Sequence, residues 1–231
     1  MPLTPLLSLF LVFTTCVKPQ PQLESPPQQQ TQAHNEEKYE SAKKEYKTVQ
    51  IGDLIWMAEN LNEDVEGSKC YEDKPENCEK YGRLYDWETA LKVSPDGWHL
   101  PSDAEWDDLL CVVACDGIKK YRLHIEETAG VKLKSKSGWD LNNRDGGSGN
   151  GTDDFGFVAL PGGFVNSEGN FDGIGTVGWW WTSTATNDLS HVYFMNKEHT
   201  ALTRYIYNTD DRLNAFFFEK ELLLSVRCVK D

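Results

Sequence analysis

Residues 102–113 read SDAEWDDLLCVV, and their spacing sets the first element of the fold. Ser102 stands three residues before Glu105, the arrangement of a capping box: the hydroxyl accepts from the amide of residue 105, and the carboxylate reaches back to the amide of residue 102. Trp106, Leu109, Leu110 and Val113 follow at i, i+3, i+4 and i+7, which is one apolar stripe along a helix. Gly117 is its stop. Towards the N-terminus, Asp86 is the N-cap of a shorter helix over 87–93, and Ser94-Pro95-Asp96-Gly97 ends it with turn chemistry. Earlier still, TVQIGDLIWM (48–57) reads as two short strands about a turn at Gly52-Asp53. Towards the C-terminus, a third helical piece is placed around 121–127. Residues 135–178, rich in Gly, Asn, Asp and Ser, read as loops broken by short strands such as 155–160. The last third reads as strands at 179–183, 191–196, 202–207 and 222–229. Helices early and antiparallel strands late give an α+β domain with long loops.

The chain has 231 residues, 39% of them hydrophobic, with eight tryptophans. That is enough for one sizeable core, and tryptophan supplies much apolar area per residue, so long helices are not required. The net charge is −14, and the first 45 residues, with four Lys and five Glu, contribute only −1 of it. A folded region this acidic repels phosphate backbones and anionic headgroups, which excludes nucleic acid as a partner. Neutral glycans, cations and basic proteins remain.

Residues 3–13 are almost wholly apolar. Eleven residues are too few for a span that needs roughly 20, but they suit the apolar region of a secretory signal. Val12-Phe13-Thr14-Thr15-Cys16 resembles a bacterial lipobox, which makes Cys16 the expected lipid anchor. The following tract, VKPQPQLESPPQQQTQAHN (17–35), has too little apolar area to fold. The expected organisation is an export signal over 1–16, a Pro/Gln-rich tether over 17–45 and one domain over 46–231, held at the cell envelope through an N-terminal lipid.

Export makes disulfides plausible for the five remaining cysteines. Cys70 and Cys78 bracket a short polar loop, YEDKPEN, and are the expected pair. Cys111 and Cys115, at i and i+4, share a helix face, and either is a candidate partner for Cys228. One thiol is left over.

The ordered blocks TVQIGDLIWMAENLN, YGRLYDWETA, GWHLPSDAEWDDL, KLKSKSGW, GTDDFGFVALPGGF, GWWWTST and SVRCVKD resemble the Fibrobacter succinogenes major paralogous domain family over residues 46–231. The resemblance implies an exported protein, often a lipoprotein, with a C-type lectin-like fold: two early helices, a long irregular loop region, antiparallel strands, and chain ends that share one sheet. Formylglycine-generating enzymes belong to the same fold group. Family members often carry a cysteine before the proline of the turn ahead of GWHLP, a plausible partner for the cysteine of SVRCV. Here that position is Ser94, so Cys228 is either free or paired with Cys111 or Cys115.

Two candidate sites follow. In a strand, Trp179 and Trp181 share a face and Trp180 takes the other. The three rings are therefore core on one side with loops capping the other, or at least one is exposed and stacks on a sugar. Asp145, Asn150, Asp153 and Asp154 sit in the run DGGSGNGTDD. Calcium takes six to eight oxygens from such loops, and the related lectin-like domains place calcium in this general region, but Asp and Asn also simply make turns. His99 and Ser102 do not make a nucleophilic pair, since Ser102 is spent as a cap and no Gly-x-Ser-x-Gly elbow occurs. The expectation is a non-catalytic surface binding module, for glycans or envelope proteins. A structural envelope lipoprotein is the alternative, and an oxidase of the formylglycine-generating type is disfavoured because the one close cysteine pair lies on a helix.

Overall fold

A computed structural model describes residues 45–114, 128–186 and 197–231. Cys16, Cys115, Gly117, the export signal, nearly all of the tether, and the elements expected at 121–127 and 191–196 lie outside these residues.

The first hairpin forms as its turn chemistry demands. Strand β1 (Thr48–Ile51) pairs antiparallel with β2 (Leu54–Met57). Gly52 supplies a φ of +63°, and a Cβ there would lie 2.8 Å from a Val112 methyl, so only glycine fits. The Cys70–Cys78 disulfide forms. The loop expected inside it is instead a short helix, α1 (Pro75–Tyr81), because Pro75 takes the first helical turn, where its missing N–H costs nothing. After β3 (Leu84–Tyr85), Asp86 accepts the Thr89 amide at 2.8 Å and starts α2 (Trp87–Ala90), shorter than the expected 87–93. Strand β4 (Trp98–His99) leads to α3 (Asp103–Ala114). Its capping box closes both ways, Ser102 N to Glu105 Oε2 at 2.8 Å and Glu105 N to Ser102 Oγ at 3.3 Å. All four stripe residues are buried.

A short helix α4 (Ala129–Leu133) precedes the loop region. The strand expected at 155–160 does not form. Val158 sits at φ +52°, which breaks extended backbone, and only a single bridge joins Ala159 to Lys134. The remaining strands are β5 (Gly162–Val165), β6 (Phe171–Ile174), β7 (Val177–Ala185), β8 (Thr200–Tyr207), β9 (Asn214–Glu219), β10 (Leu224–Ser225) and β11 (Val229–Lys230). The first sheet runs β1-β2-β11-β4, so the first and last strands of the domain share it. In the second, β7 pairs with β8 on one edge and with β10 and β5 on the other; β9 extends it beyond β8, and β6 beyond β5. The architecture is α+β, mostly strands in two open sheets with few, short helices.

Strand β7 divides the core. Trp180 faces α3 and α4, joining Trp56, Trp106, Phe157, Ile206 and Val229. Trp179 and Trp181 face the other way, with Met57, Tyr85, Trp87 and Cys228. Seven of the eight tryptophans are buried. At roughly 1.5–3 kcal/mol for a fully buried large apolar side chain, they compensate for the small amount of helix.

A polar hub sits inside this core. Arg227 is fully buried, with its guanidinium 4.4 Å from the Phe157 ring centroid. Its Nε and Nη2 donate to Asn60 Oδ1 at 3.1 and 2.7 Å, and Nη1 donates to the carbonyls of Met57 and Phe157. Asn60 Oδ1 also accepts Trp180 Nε1 at 2.9 Å, and its Nδ2 donates to Tyr81 O at 2.8 Å. A buried charge is tolerable only with such saturation. The hub therefore fixes β2, α1, β7, the 157–158 loop and the C-terminal segment relative to one another.

Candidate functional site

The Trp179–Trp181 run alternates across β7 as its period requires, but none of the three rings is a surface platform. They are 4%, 0% and 0% exposed. The expectation of an exposed ring in this triplet is therefore corrected. Trp180 is covered by α3 and the 157–158 loop, and Trp181 donates its Nε1 to Tyr85 O at 2.8 Å beneath α2. Trp179 is held by rings alone, its Nε1 having no hydrogen-bond partner among the described residues.

Those rings carry the aromatic surface outward. In the β7–β8–β9 register, Trp179 is opposite Tyr205, Val177 is opposite Tyr207, and Thr203 joins Trp181 to Phe216. Residues opposite one another share a face, so this side of the sheet is buried along β7 and opens to solvent at Tyr207 on β8 and Phe216 on β9. Tyr205 stacks on Trp179, with centroids 4.5 Å apart and planes 13° from parallel. Trp179 also meets Phe218 at 4.1 Å and Phe164 at 5.9 Å, while Tyr207 stands edge-on to Tyr205 at 5.4 Å and Phe216 to Phe218 at 5.4 Å. The result is a continuous face of six rings, with Tyr207 38% and Phe216 48% exposed.

Polar groups rim this face. Asp172 lies opposite Phe164 in the β5–β6 pair, and so on the same side. Its carboxylate, like the phenol groups of Tyr205 and Tyr207, makes no hydrogen bond to the described residues. Burial raises the pKa of both phenols, with Asp210 adding to Tyr205, and Tyr205 and Asp172 adding to Tyr207. Both therefore remain hydroxyl donors at neutral pH. Asp210 is held by Arg212, Nη2 to Oδ2 at 2.7 Å.

The structure does not gather the acidic loop into a metal centre. Asp145 Oδ1 accepts Gly147 N at 2.8 Å, Asn150 Oδ1 accepts Trp139 N at 3.0 Å, and Asp153 Oδ1 accepts Val158 N at 2.9 Å. Asp154 is engaged through its backbone amide, which donates to Lys132 O at 2.9 Å. Among the described residues no group of three or more His, Cys, Asp or Glu side chains is placed to hold a metal ion. Asp145 makes a local turn, while Asn150 and Asp153 tie the loop to amides more distant in the chain.

Cys228 does not pair with Cys111 or Cys115. It is a free, fully buried thiol 3.4 Å from Ser94 Oγ. The reason is alternation: Val229 faces the layer that contains α3, so Cys228 faces away from the helix that bears Cys111. Burial pushes its pKa up to about 11, leaving it the inert kind of thiol. His99 is bound on both sides, Nε2 to Glu105 at 2.8 Å and Nδ1 to Asp231 at 2.7 Å. A cleft of about 530 Å³ lies against α2, lined by Asp86, Glu88, Glu198, His199, Lys220 and Glu221. Its Asp86 is spent as the helix cap and its Lys220 lies 4.3 Å from the Trp87 ring centroid.

The rings of β9 had a sequence signal that the Trp triplet obscured. Phe216 and Phe218 alternate at period two in NAFFFE, as Tyr205 and Tyr207 do in the strand before. Two adjacent strands with aromatics two apart put the rings side by side once paired.

A family model described as the Fibrobacter succinogenes major domain matches residues 49–230. No curated protein matches the chain. No solved structure matches it.

Proposed function

Since this chain belongs to the Fibrobacter succinogenes major domain family, we propose that it is a non-catalytic binding module displayed on the cell envelope, which contacts a glycan or an envelope protein through its aromatic face. Export and the lipid at Cys16 belong to this proposal and are supported by the apolar run at 3–13 and the lipobox-like residues 12–16. A C-type lectin-like fold belongs to it too, supported by early helices α2 and α3, the irregular 135–160 stretch, and first and last strands that share a sheet.

The observation that carries the function is the exposure of Tyr207 and Phe216 above a stack that ends on Trp179. They are the open end of one continuous aromatic face and not rings scattered singly over the surface. Here they are also pre-organised, because the rings beneath hold them, so a ligand loses little entropy in ordering them.

The test compares full-length protein carrying Cys16→Ser, so that lipid does not itself hold it, with the same protein carrying Tyr207→Ser and Phe216→Ser. Retention on isolated envelopes should fall by about tenfold or more in the aromatic variant, with the thermal midpoint unchanged. Equal retention of a folded variant would overturn the proposal.

A further inference from the structure

We propose that the aromatic face takes a neutral pyranose oligosaccharide, its C–H faces stacked on Tyr207 and Phe216 and its hydroxyls bonded by Asp172 and the Tyr205 and Tyr207 phenols. This rests on the reading of that face as the contact surface and goes on to name its ligand.

Area favours a small ligand over a protein partner. An aromatic side chain offers roughly 150–250 Å², so two rings at 38% and 48% exposure present about 200 Å² between them. A protein partner, which buries ~800 Å² per side, would have to draw most of its contact from the acidic surface around the rings. One or two sugar rings match the exposed aromatic area. Charge decides against an acidic ligand and against a second copy of this chain. The net charge is −14, and among the described residues no cation pairs with Asp172 at the rim.

Chemistry decides against a purely apolar ligand. The rim offers two phenol hydroxyls and a carboxylate, none of them bonded to the described residues. A carboxylate accepts up to four hydrogen bonds and a phenol both donates and accepts. A ligand must therefore bring an apolar face and a ring of hydroxyls together, which is what a pyranose does. The phenols keep their protons at neutral pH, as their own burial and then the neighbouring carboxylates require, so they donate where Asp172 accepts.

The full chain should be titrated with the neutral hexasaccharides of glucose, xylose and mannose, and with hexagalacturonate as the acidic control. Tyrosine ring resonances report contact at the face. The expected result is saturable binding of at least one neutral hexasaccharide and none of the acidic one. Tyr207→Ala and Phe216→Ala should each weaken it by about tenfold, and Asp172→Asn by several-fold. Absence of neutral binding, while Tyr207→Ser with Phe216→Ser still abolishes envelope retention, would overturn this ligand class and leave the face as a contact surface for something else. Neutral-sugar binding that survives both aromatic variants would overturn the site itself, and envelope retention that also survives them would overturn the function proposed for it.

Discussion

Replacing Asn60 by alanine should destabilise the domain by about 4 kcal/mol. The side chain is 4% exposed, and its Oδ1 takes three donors: Trp180 Nε1, Arg227 Nε and Arg227 Nη2. Its Nδ2 serves the Tyr81 carbonyl and, at 3.3 Å, Ser225 Oγ. Truncation orphans two donors of a buried charge, an indole N–H and a carbonyl. Each neutral orphan costs about 1–3 kcal/mol, and stripping a partner from a buried charge costs about 3–5 kcal/mol. These do not add in full, because Arg227 keeps its bonds to Met57 and Phe157. For a domain of this size, about 4 kcal/mol corresponds to a drop of roughly 8–16 °C in the thermal midpoint. Urea unfolding followed by tryptophan fluorescence measures it, with the slope checked for constancy. The double variant Asn60→Ala/Arg227→Met adds a sharper test, since removing the charge removes the reason for the penalty. It should be more stable than the sum of the single changes implies, by at least about 1.5 kcal/mol. A cost below about 1 kcal/mol for Asn60→Ala, or strict additivity in the double variant, would refute the view that Asn60 and Arg227 form one buried unit.

Three further outcomes follow. Ser94→Cys should close a bond to Cys228 under oxidising conditions, since Ser94 Oγ is 3.4 Å from the sulfur; the protein, unfolded without reductant, should then show two fewer thiols to Ellman's reagent than the reduced variant, and the bond should add at most about 5 kcal/mol, the chain-entropy limit for a loop of more than 100 residues. Burial disfavours the charged form of His99, but the Glu105 and Asp231 carboxylates outweigh it and raise its pKa. Its contribution is therefore full below the unfolded value of about 6.5 and lost as pH rises through the higher folded value, so stability should fall across that window, and His99→Gln should flatten the profile. Because Asp145, Asn150 and Asp153 each hold a backbone amide instead of a shared centre, millimolar calcium or EDTA should move the thermal midpoint by less than about 1 °C; a rise of several degrees with calcium would restore the cation site.

Local chemistry was legible in the sequence, and long-range pairing was not. The capping box at Ser102–Glu105, the Gly52 turn and the Asp86 cap each rest on contacts within three residues, and all three form. The alternation of Trp179 to Trp181 also held, since it follows from strand geometry alone. What covered each face depended on α3, the 157–158 loop and α2, which arrive from distant parts of the chain. The same holds for Arg227, whose partners lie 69 to 170 residues away. The run at 155–160 reads as a short strand among loops, and Phe157 and Ala159 are indeed both buried. Its backbone instead turns at Val158 to aim carbonyls at Arg227. Pro75 read as a loop residue because proline starts helices as readily as it ends them.

The claim beneath the function is that this module works outside the cytosol. Mass spectrometry of the N-terminus, on the full chain expressed in a bacterium with an outer membrane, tests it directly. The expected species begins at an acylated Cys16 and disappears in Cys16→Ala, whereas a chain that retains an unmodified Met1 would contradict the account.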